Sequence, residues 1–239
     1  MIGWAPNPFI FVHVPKCAGT SIEQAFIPIA TNRKHFSELT CEDRCRHWLP
    51  GSGMLQHRKL RAYADNFEIS EYFKFSLVRN PWDRAISQIR YLRSVAKAPL
   101  FRNKSITEKI WTYCNSKANV WGHDLGACQV DYLVDNFGEI KMDYIGRFET
   151  LVESFAAICQ RIQTKPIPQL PHVFNSRRKL HYSAFFEDES VDLIGRRFAR
   201  DIDAFGYHFE RMVDFMPTAE QEYATPMLGD NPVEESSER

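Results

Sequence analysis

Two apolar stretches, each followed by a polar loop and a helical run, dominate the hydrophobic pattern of the chain. The first lies within Phe9–Phe26 (FIFVHVPKCAGTSIEQAF), and the second is Tyr72–Val78 (YFKFSLV), which leads through Arg79-Asn80-Pro81 into WDRAISQIRYLR. Runs this rich in aromatic and β-branched residues are typical of buried strands. Asn80 predicts an N-cap, and Pro81 predicts the first residue of a helix. The pattern therefore predicts two strand–loop–helix units.

The rest of the chain reads as mostly helical, with one more strand. The further predicted elements are helical segments within Ile106–Val134, a short strand at Met142–Ile145, a helix at Glu149–Gln163 and a helix at Ser190–Phe205. Gly206 is suited to end the last helix as a C-cap. We expect residues 1–228 to form a single domain and the polar, acidic residues 229–239 to be a disordered tail.

The first loop has the composition of a phosphate or sulfate cradle. A strand-to-helix loop directs unpaired backbone N–H groups toward one spot, at the positive end of the helix dipole. Gly19 permits close approach of an oxyanion, Thr20 and Ser21 offer hydroxyls, and Lys16 adds a positive charge. Nucleotide-triphosphate loops place the lysine directly after the second glycine, whereas Lys16 precedes Gly19. The alternative is an ordinary helix start, with Thr20 or Ser21 as N-cap.

The second unit adds a further positive charge at the end of a strand. Arg79 is expected to be free to reach a ligand, while Asp83 favours the helix dipole in the first turn. Ser87 follows two turns into the helix. Taken alone, Arg79 could equally pair with a surface acid, and Ser87 could be a packing residue.

Together, PKCAGTS and RNPWDRAIS resemble the paired phosphosulfate-binding and 3′-phosphate-binding motifs of sulfotransferases that use 3′-phosphoadenosine 5′-phosphosulfate (PAPS). The similarity is strongest to the carbohydrate branch, which acts on heparan and chondroitin. It extends to QHRKLRA, to DYIGRFETLVESFAAICQRI and to the distal HYSAFF and DIDAFGYHF patterns. The resemblance implies an α/β, P-loop-like three-layer fold, with a central parallel sheet flanked by helices. It also implies PAPS as cosubstrate, adenosine 3′,5′-bisphosphate (PAP) as product, and no metal.

The resemblance assigns roles to individual residues. The residues expected around the 5′-phosphosulfate are Lys16, Cys17, Ala18, Gly19, Thr20 and Ser21. Arg79 and Ser87 are expected to hold the 3′-phosphate. In-line attack of a hydroxyl on sulfur depends mainly on positioning and charge neutralisation, and Lys16 is expected to stabilise the leaving oxygen.

A general base is needed to take the acceptor proton, and histidine is suited to this task near neutral pH. His57 is our candidate because glycan-type family members carry, upstream of the second motif, a histidine that acts as the general base. His13, inside the first strand, is the alternative. Arg177 is included among the nucleotide-binding candidates because a late loop covers the nucleotide in the wider family. Arg178 and Arg147 remain open.

Composition narrows the class of protein. The 239 residues carry 30 basic and 30 acidic side chains, so the net charge gives no indication of a nucleic-acid partner or an anionic membrane. No apolar run approaches the ~20 residues of a membrane span, and no secretory segment is evident, so a cytoplasmic enzyme is expected. Six cysteines without a C-x-x-C pair suit reduced thiols. Cys17 is expected to be a small loop residue and not a reactive thiol.

Three function classes follow. The first is O-sulfation of a glycan or a polar small natural product, with N-sulfation of an amine left open. The second is a kinase-like P-loop enzyme, which the position of Lys16 disfavours, and the third is a catalytically idle nucleotide-binding or scaffold protein. The acceptor and the oligomeric state are not encoded in any recognisable pattern.

Overall fold

The computed structural model describes part of the chain. The described residues are 2–3, 7–31, 48–49, 53–54, 57–65, 68–94, 101–115, 119–120, 123–124, 127–171 and 180–212. The strands are β1 (Ile2–Gly3), β2 (Phe9–Val12), β3 (Trp48–Leu49), β4 (Gly53–Met54), β5 (Phe73–Val78), β6 (Asn119–Val120), β7 (His123–Asp124) and β8 (Tyr144–Arg147). The helices are α1 (Gly19–Thr31), α2 (Leu60–Ala64), α3 (Pro81–Ser94), α4 (Ile106–Asn115), α5 (Val130–Leu133), α6 (Leu151–Ile162), α7 (Asp188–Arg197) and α8 (Ala199–Phe205), with a 3₁₀ turn at Tyr182–Phe185.

The main sheet has the strand order β1-β2-β5-β8. Strands β2, β5 and β8 are parallel, and the short β1 pairs antiparallel with β2 at the edge. The register sets Val12 beside Ser76, and Val78 beside Arg147. Because parallel strands end at the same edge of a sheet, the segments that follow β2, β5 and β8 lie side by side. The β3–β4 and β6–β7 pairs are separate two-stranded hairpins.

Aromatic packing joins one face of the sheet to helices α1 and α6. Phe11 and Phe75 stack across β2 and β5 with ring centroids 5.2 Å apart. Phe26 of α1 lies over this face, 5.4 Å from Phe9 and 5.4 Å from Phe155 of α6. All five rings are buried, so the apolar pattern of the strands is explained by a helix-covered sheet. The predicted α/β fold with a central parallel sheet flanked by helices is confirmed.

The predicted entry into α3 is also confirmed. The side-chain oxygen of Asn80 accepts from the backbone N–H of Trp82 at 3.1 Å, and the helix begins at Pro81. The amide of Asn80 donates to the backbone carbonyl of His208 at 3.0 Å and to the hydroxyl of Tyr182 at 3.3 Å. This N-cap therefore also holds the distal part of the chain against the start of α3.

The predicted single helix at 190–205 is wrong, because it is divided into α7 and α8. Phe198 lies between them with φ −115° and ψ 28°, outside helical geometry. Its buried ring packs 5.7 Å from the ring of Tyr113 in α4. Gly206 adopts φ 64° and ends α8 as the expected left-handed C-cap. The expected strand near 142–145 is shifted and forms as β8, and the predicted tail at 229–239 lies outside the described residues.

Candidate active site

The loop between β2 and α1 contains two non-glycine residues in left-handed backbone geometry. Lys16 has φ 68° and Ala18 has φ 62°. This geometry costs roughly 1–2 kcal/mol for each L-residue, and it persists where the surrounding structure imposes it, often at ligand sites. Turns of this kind direct successive N–H groups into a concave anion-binding nest. We call residues 14–18 together with the first turn of α1 the cradle.

The cradle is not capped by the hydroxyls that an ordinary helix start would use. The backbone carbonyl of Ala18 accepts from the N–H groups of Ser21 and Ile22 at 3.0 and 3.2 Å, so Ala18 is the N-cap. Thr20 and Ser21 lie inside the first turn and are partly buried. The alternative in which Thr20 or Ser21 caps the helix is therefore wrong. Alanine has no side-chain acceptor, so the side chain at position 18 cannot accept from any of the first amides of the helix.

Gly19 is required by a neighbour as well as by any bound anion. A Cβ atom at position 19 would lie 1.9 Å from Cδ2 and 2.0 Å from Nε2 of the His13 ring. That ring is only 3% exposed, and its Nδ1 lies 3.1 Å from Oε1 of Glu23. The imidazole of His13 thus occupies the space beside the first residue of α1, and no larger residue than glycine fits there.

Lys16 is partly buried and carries an altered proton affinity. Burial, and then the positive charge of Arg79, lower the pKa of Lys16 from 10.5 to about 8. Its Nζ lies 4.1 Å from the ring centroid of Tyr91 on α3, which provides a cation–π contact. Lys16 is therefore a cation in a partly dehydrated setting, where its attraction to an anion is stronger than in water.

Arg79 is buried and held in place, and it is not the free side chain that the sequence suggested. Its Nε and Nη2 donate to Oδ2 of Asp83 at 2.8 and 2.7 Å, and its Nη1 donates to the backbone carbonyl of Lys16 at 3.1 Å. Its Cζ lies 3.7 Å from the ring centroid of Phe148, and the residue is 8% exposed. Ser87 lies one turn after Asp83, on the same face of α3. These contacts fix the orientation of the Arg79 side chain.

His57 lies against the end of β2, although 44 residues separate it from His13. Its Nδ1 is 3.1 Å from the backbone carbonyl of His13, and the two imidazole centroids are 4.2 Å apart. A carbonyl can only accept, so Nδ1 carries the proton and the lone pair of the ring lies on Nε2. Both candidate bases therefore adjoin the cradle, and the tautomer of His57 is the one that a base acting through Nε2 needs.

Cys17 and Arg147 have defined structural partners. Burial raises the pKa of the Cys17 thiol to about 12, and its Sγ donates to Oε1 of Gln129 at 3.2 Å. A thiol in this state is unreactive, as expected. Arg147 donates to the carbonyl of Phe205 and lies 4.7 Å over the ring of Tyr207. Arg177 and Arg178 lie outside the described residues.

Three polar residues that sequence reasoning did not identify support the site. Gln129 and Asp201 are fully buried. Glu149 accepts from the backbone N–H of Asn80 at 2.6 Å and from the hydroxyl of Tyr207 at 3.1 Å. Glu149 and Asp201 had a signal, since they lie in the GRFE and DIDAFGYHF runs that carry part of the family resemblance, whereas Gln129 had none.

Among the described residues, no group of three or more His, Cys, Asp or Glu side chains is arranged to hold a metal ion. None of the helices in the described part of the chain is long and apolar enough to cross a bilayer.

Comparison with known proteins gives a match to a family model. The model of the sulfotransferase family matches residues 5–125, just over half of the 239-residue chain. Neither the curated proteins nor the solved structures include a match to the chain. The matched range contains the cradle, His57 and Arg79, and the carbohydrate-type branch predicted from the motifs fits this family. The chain belongs to the sulfotransferase family.

Proposed function

We propose that this protein transfers the sulfuryl group of PAPS to a hydroxyl group of a glycan or a polar small natural product. Membership of the sulfotransferase family supports sulfuryl transfer in general and implies PAPS as the donor. The contact between Arg79 Nη1 and the Lys16 carbonyl at 3.1 Å carries the proposal, because it joins two motifs that are 63 residues apart.

The arrangement suits a nucleotide with two separate anionic groups. The cradle offers backbone amides and Lys16 to the 5′-phosphosulfate, and Arg79 with Ser87 receives the 3′-phosphate. Three of the five guanidinium N–H groups of Arg79 are used by Asp83 and Lys16, so two can face a phosphate. The fixed guanidinium loses little conformational freedom on binding, which favours affinity for the doubly phosphorylated nucleotide.

In the transfer step, the acceptor hydroxyl attacks sulfur in line with the departing phosphate. A bond forms between the acceptor oxygen and sulfur, and the bond between sulfur and the 5′-phosphate oxygen breaks. The electron pair of that bond stays on the phosphate oxygen, where the ammonium group of Lys16 neutralises the developing charge. The products are the sulfated acceptor and PAP.

His57 accepts the proton of the acceptor hydroxyl through Nε2. The His13 carbonyl keeps the proton of the imidazole on Nδ1, which leaves Nε2 as the basic atom. His13 is the weaker candidate, because its ring is buried over Gly19 and its Nδ1 is held by Glu23. An amine acceptor would use the same base, and an acceptor screen with alcohols and amines separates O-sulfation from N-sulfation.

Calorimetric titration with PAP, and separately with magnesium-ATP, tests the donor site. We expect metal-free binding of PAP that Arg79→Ala weakens by at least tenfold, since the loss of a charge-assisted contact costs roughly 1.5–3 kcal/mol. Arg161→Ala is the matched control, because Arg161 lies over Phe73 at the opposite end of β5. Preference for magnesium-ATP would favour a kinase-like enzyme, and no binding of either nucleotide would favour a scaffold.

Release of PAP from PAPS in the presence of an acceptor tests the chemistry. We expect His57→Ala to lower kcat by about 10²–10⁴-fold, the usual contribution of a general base, with little change in PAP affinity. His208→Ala is the control, since the side chain of His208 is 78% exposed and remote from the cradle loop in sequence. An unchanged kcat in His57→Ala would show that His57 is not the general base, and His13 would then be the candidate to test.

A further inference from the structure

Gln129 lies fully buried between the two predicted phosphate sites, outside the residues that the family model matches. Its side-chain Oε1 accepts from the backbone N–H of Arg79 at 2.9 Å, and its Nε2 donates to the backbone carbonyl of Arg79 at 2.7 Å. An amide side chain thus pairs with both main-chain groups of one residue. Strand β5 ends at Val78, so Gln129 continues the pairing for one residue beyond the sheet.

This pairing fixes the position of the Arg79 backbone, from which the side chain and its guanidinium group extend. With both backbone groups bonded, the Cα of Arg79 has little freedom, and the side chain then extends to Asp83 and to the Lys16 carbonyl. Each buried amide–peptide hydrogen bond is costly to leave unmade, so the two bonds act together as a restraint.

The same Oε1 atom also contacts the cradle. Cys17 Sγ donates to it at 3.2 Å, and the raised pKa of the buried thiol keeps that proton in place. A carbonyl oxygen has two lone pairs, so it can accept from Cys17 and from Arg79 at once. Gln129 is therefore bonded to the backbone of the 3′-phosphate arginine and to a side chain of the 5′-phosphosulfate loop.

Gln129 is itself held by a buried ion pair. Asp201 of α8 accepts from the backbone N–H groups of Gln129 and Val130, each at 2.9 Å. Arg84 Nη1 lies 3.8 Å from Asp201, and Arg84 Nε donates to the Pro15 carbonyl at 3.3 Å. The contacts run from Pro15 through Arg84, Asp201 and Gln129 to Cys17. Because Cys17 follows Pro15 by two residues, the main chain closes these contacts into a ring. A closed ring resists displacement of any one member better than a single contact does.

We propose that Gln129 is a positioning residue that fixes the separation between the cradle and Arg79, and thereby makes the site selective for nucleotides with both a 5′- and a 3′-phosphate. Gln129 acts through Arg79 and Cys17 and does not contact the nucleotide. This inference rests on the proposed PAPS-dependent function.

The test compares PAP with adenosine 5′-monophosphate, which lacks the 3′-phosphate. Dissociation constants for both ligands are measured by calorimetry on the full chain and on Gln129→Met, which keeps the volume and removes the amide. We expect the ratio of the two constants to fall at least tenfold, with the affinity for adenosine 5′-monophosphate changed less than threefold. Gln160→Met on the exposed face of α6 is the matched control.

A double variant shows whether Gln129 acts through the arginine. If it does, Arg79→Ala and Arg79→Ala/Gln129→Met will have the same nucleotide selectivity, because no guanidinium remains to be positioned. If the two losses add, Gln129 contributes by another route and the proposal is overturned.

Gln129→Glu provides a variant of similar shape and a readout that a packing role would not change. A protonated carboxyl group at position 129 can still donate to the Arg79 carbonyl. A carboxylate has no proton to donate, so its oxygen would repel the carbonyl oxygen of Arg79. Selectivity of Gln129→Glu, relative to the unmodified chain at each pH, should therefore fall as pH rises from 6.5 to about 8. Selectivity equal to that of the unmodified chain at every pH contradicts the proposal, as does an equal loss of both affinities.

The two levels of hypothesis fail in different ways. If the unmodified chain binds PAP no better than adenosine 5′-monophosphate, the proposed function fails and the role of Gln129 fails with it. If the unmodified chain is selective and the Gln129 variants keep that selectivity, only the positioning role is lost. Thermal melting of each variant, followed by circular dichroism, identifies any that do not fold, and Gln129→Glu then decides the result.

Discussion

The affinity for PAP should fall steeply as pH is raised through the titration of Lys16. Burial, and then Arg79, lower the pKa of Lys16 to about 8, so this side chain loses its charge in a pH range where an ordinary lysine keeps it. The perturbation is a change of pH alone. The phosphate groups of PAP have second pKa values near 6, so the ligand carries a constant charge above about pH 7.5.

The magnitude follows from the fraction of Lys16 that is protonated. With a pKa of about 8, Lys16 is roughly 75% charged at pH 7.5 and about 3% charged at pH 9.5. If only the ammonium form binds the anion, the association constant falls about 25-fold over that range. If the pKa of Lys16 had its ordinary value of 10.5, the association constant would fall by only about a tenth over the same pH range.

Calorimetric titrations at pH 7.5, 8.5 and 9.5 measure this effect, and Lys16→Arg is the control. Guanidinium stays charged throughout, so the affinity of Lys16→Arg should be almost independent of pH. Equal pH profiles for the unmodified chain and Lys16→Arg would refute the assignment of the titration to Lys16.

Folding stability separates this titration from alkaline unfolding. The pKa of Lys16 is lower in the folded protein than its usual 10.5, so between pH 8 and 10.5 the unfolded chain binds more protons. Stability contributed by Lys16 therefore rises with pH in this window while PAP affinity falls. A parallel loss of both would indicate unfolding instead.

Three substitutions test the cradle and its support through the free energy of unfolding, measured by urea denaturation. Ala18→Gly should stabilise the protein by about 0.5–1 kcal/mol, because glycine adopts the left-handed geometry without strain and this gain exceeds the cost of the added entropy of the unfolded chain. A lower free energy of unfolding in this variant would contradict the φ of 62° at position 18. Gly19→Ala should destabilise by about 1–3 kcal/mol through the collision with the His13 ring, and His13→Ala in the same chain should recover part of that loss. Asn80→Ala should cost about 1–2 kcal/mol from the missing N-cap, with Asn80→Ser less affected, and equal effects of the two would exclude capping.

Local sequence signals predicted the elements that depend on neighbours along the chain. The apolar runs and the Asn80-Pro81 helix start act within a few residues, and each formed as predicted. Helix α1 begins at Gly19, directly after the predicted strand-to-helix loop. The ion pair between Arg79 and Asp83 was also within reach, since residues four apart share a helix face. The contact between Arg79 and the ring of Phe148 could not be predicted in this way. It exists because β8, which ends just before Phe148, pairs with β5.

The polar ring around Gln129 could not be read from the sequence. Its links to Arg79, Cys17 and Asp201 span 50, 112 and 72 residues, and no short pattern marks them. The break at Phe198 was missed for a similar reason, because the helical pattern continues across it and only packing on α4 reveals it. Tertiary contacts decide such features more strongly than local propensity does.

The bond from His57 to the His13 carbonyl has a consequence for how this enzyme can diversify. His13 precedes Lys16 by three positions, so the proposed base and the proposed leaving-group cation are both attached to one short piece of main chain. As long as this bond is kept, substitutions elsewhere in the chain leave the spacing of the two groups unchanged. Variants selected in the laboratory for new acceptors should therefore retain the His57 side chain and the length of the main chain between His13 and Lys16.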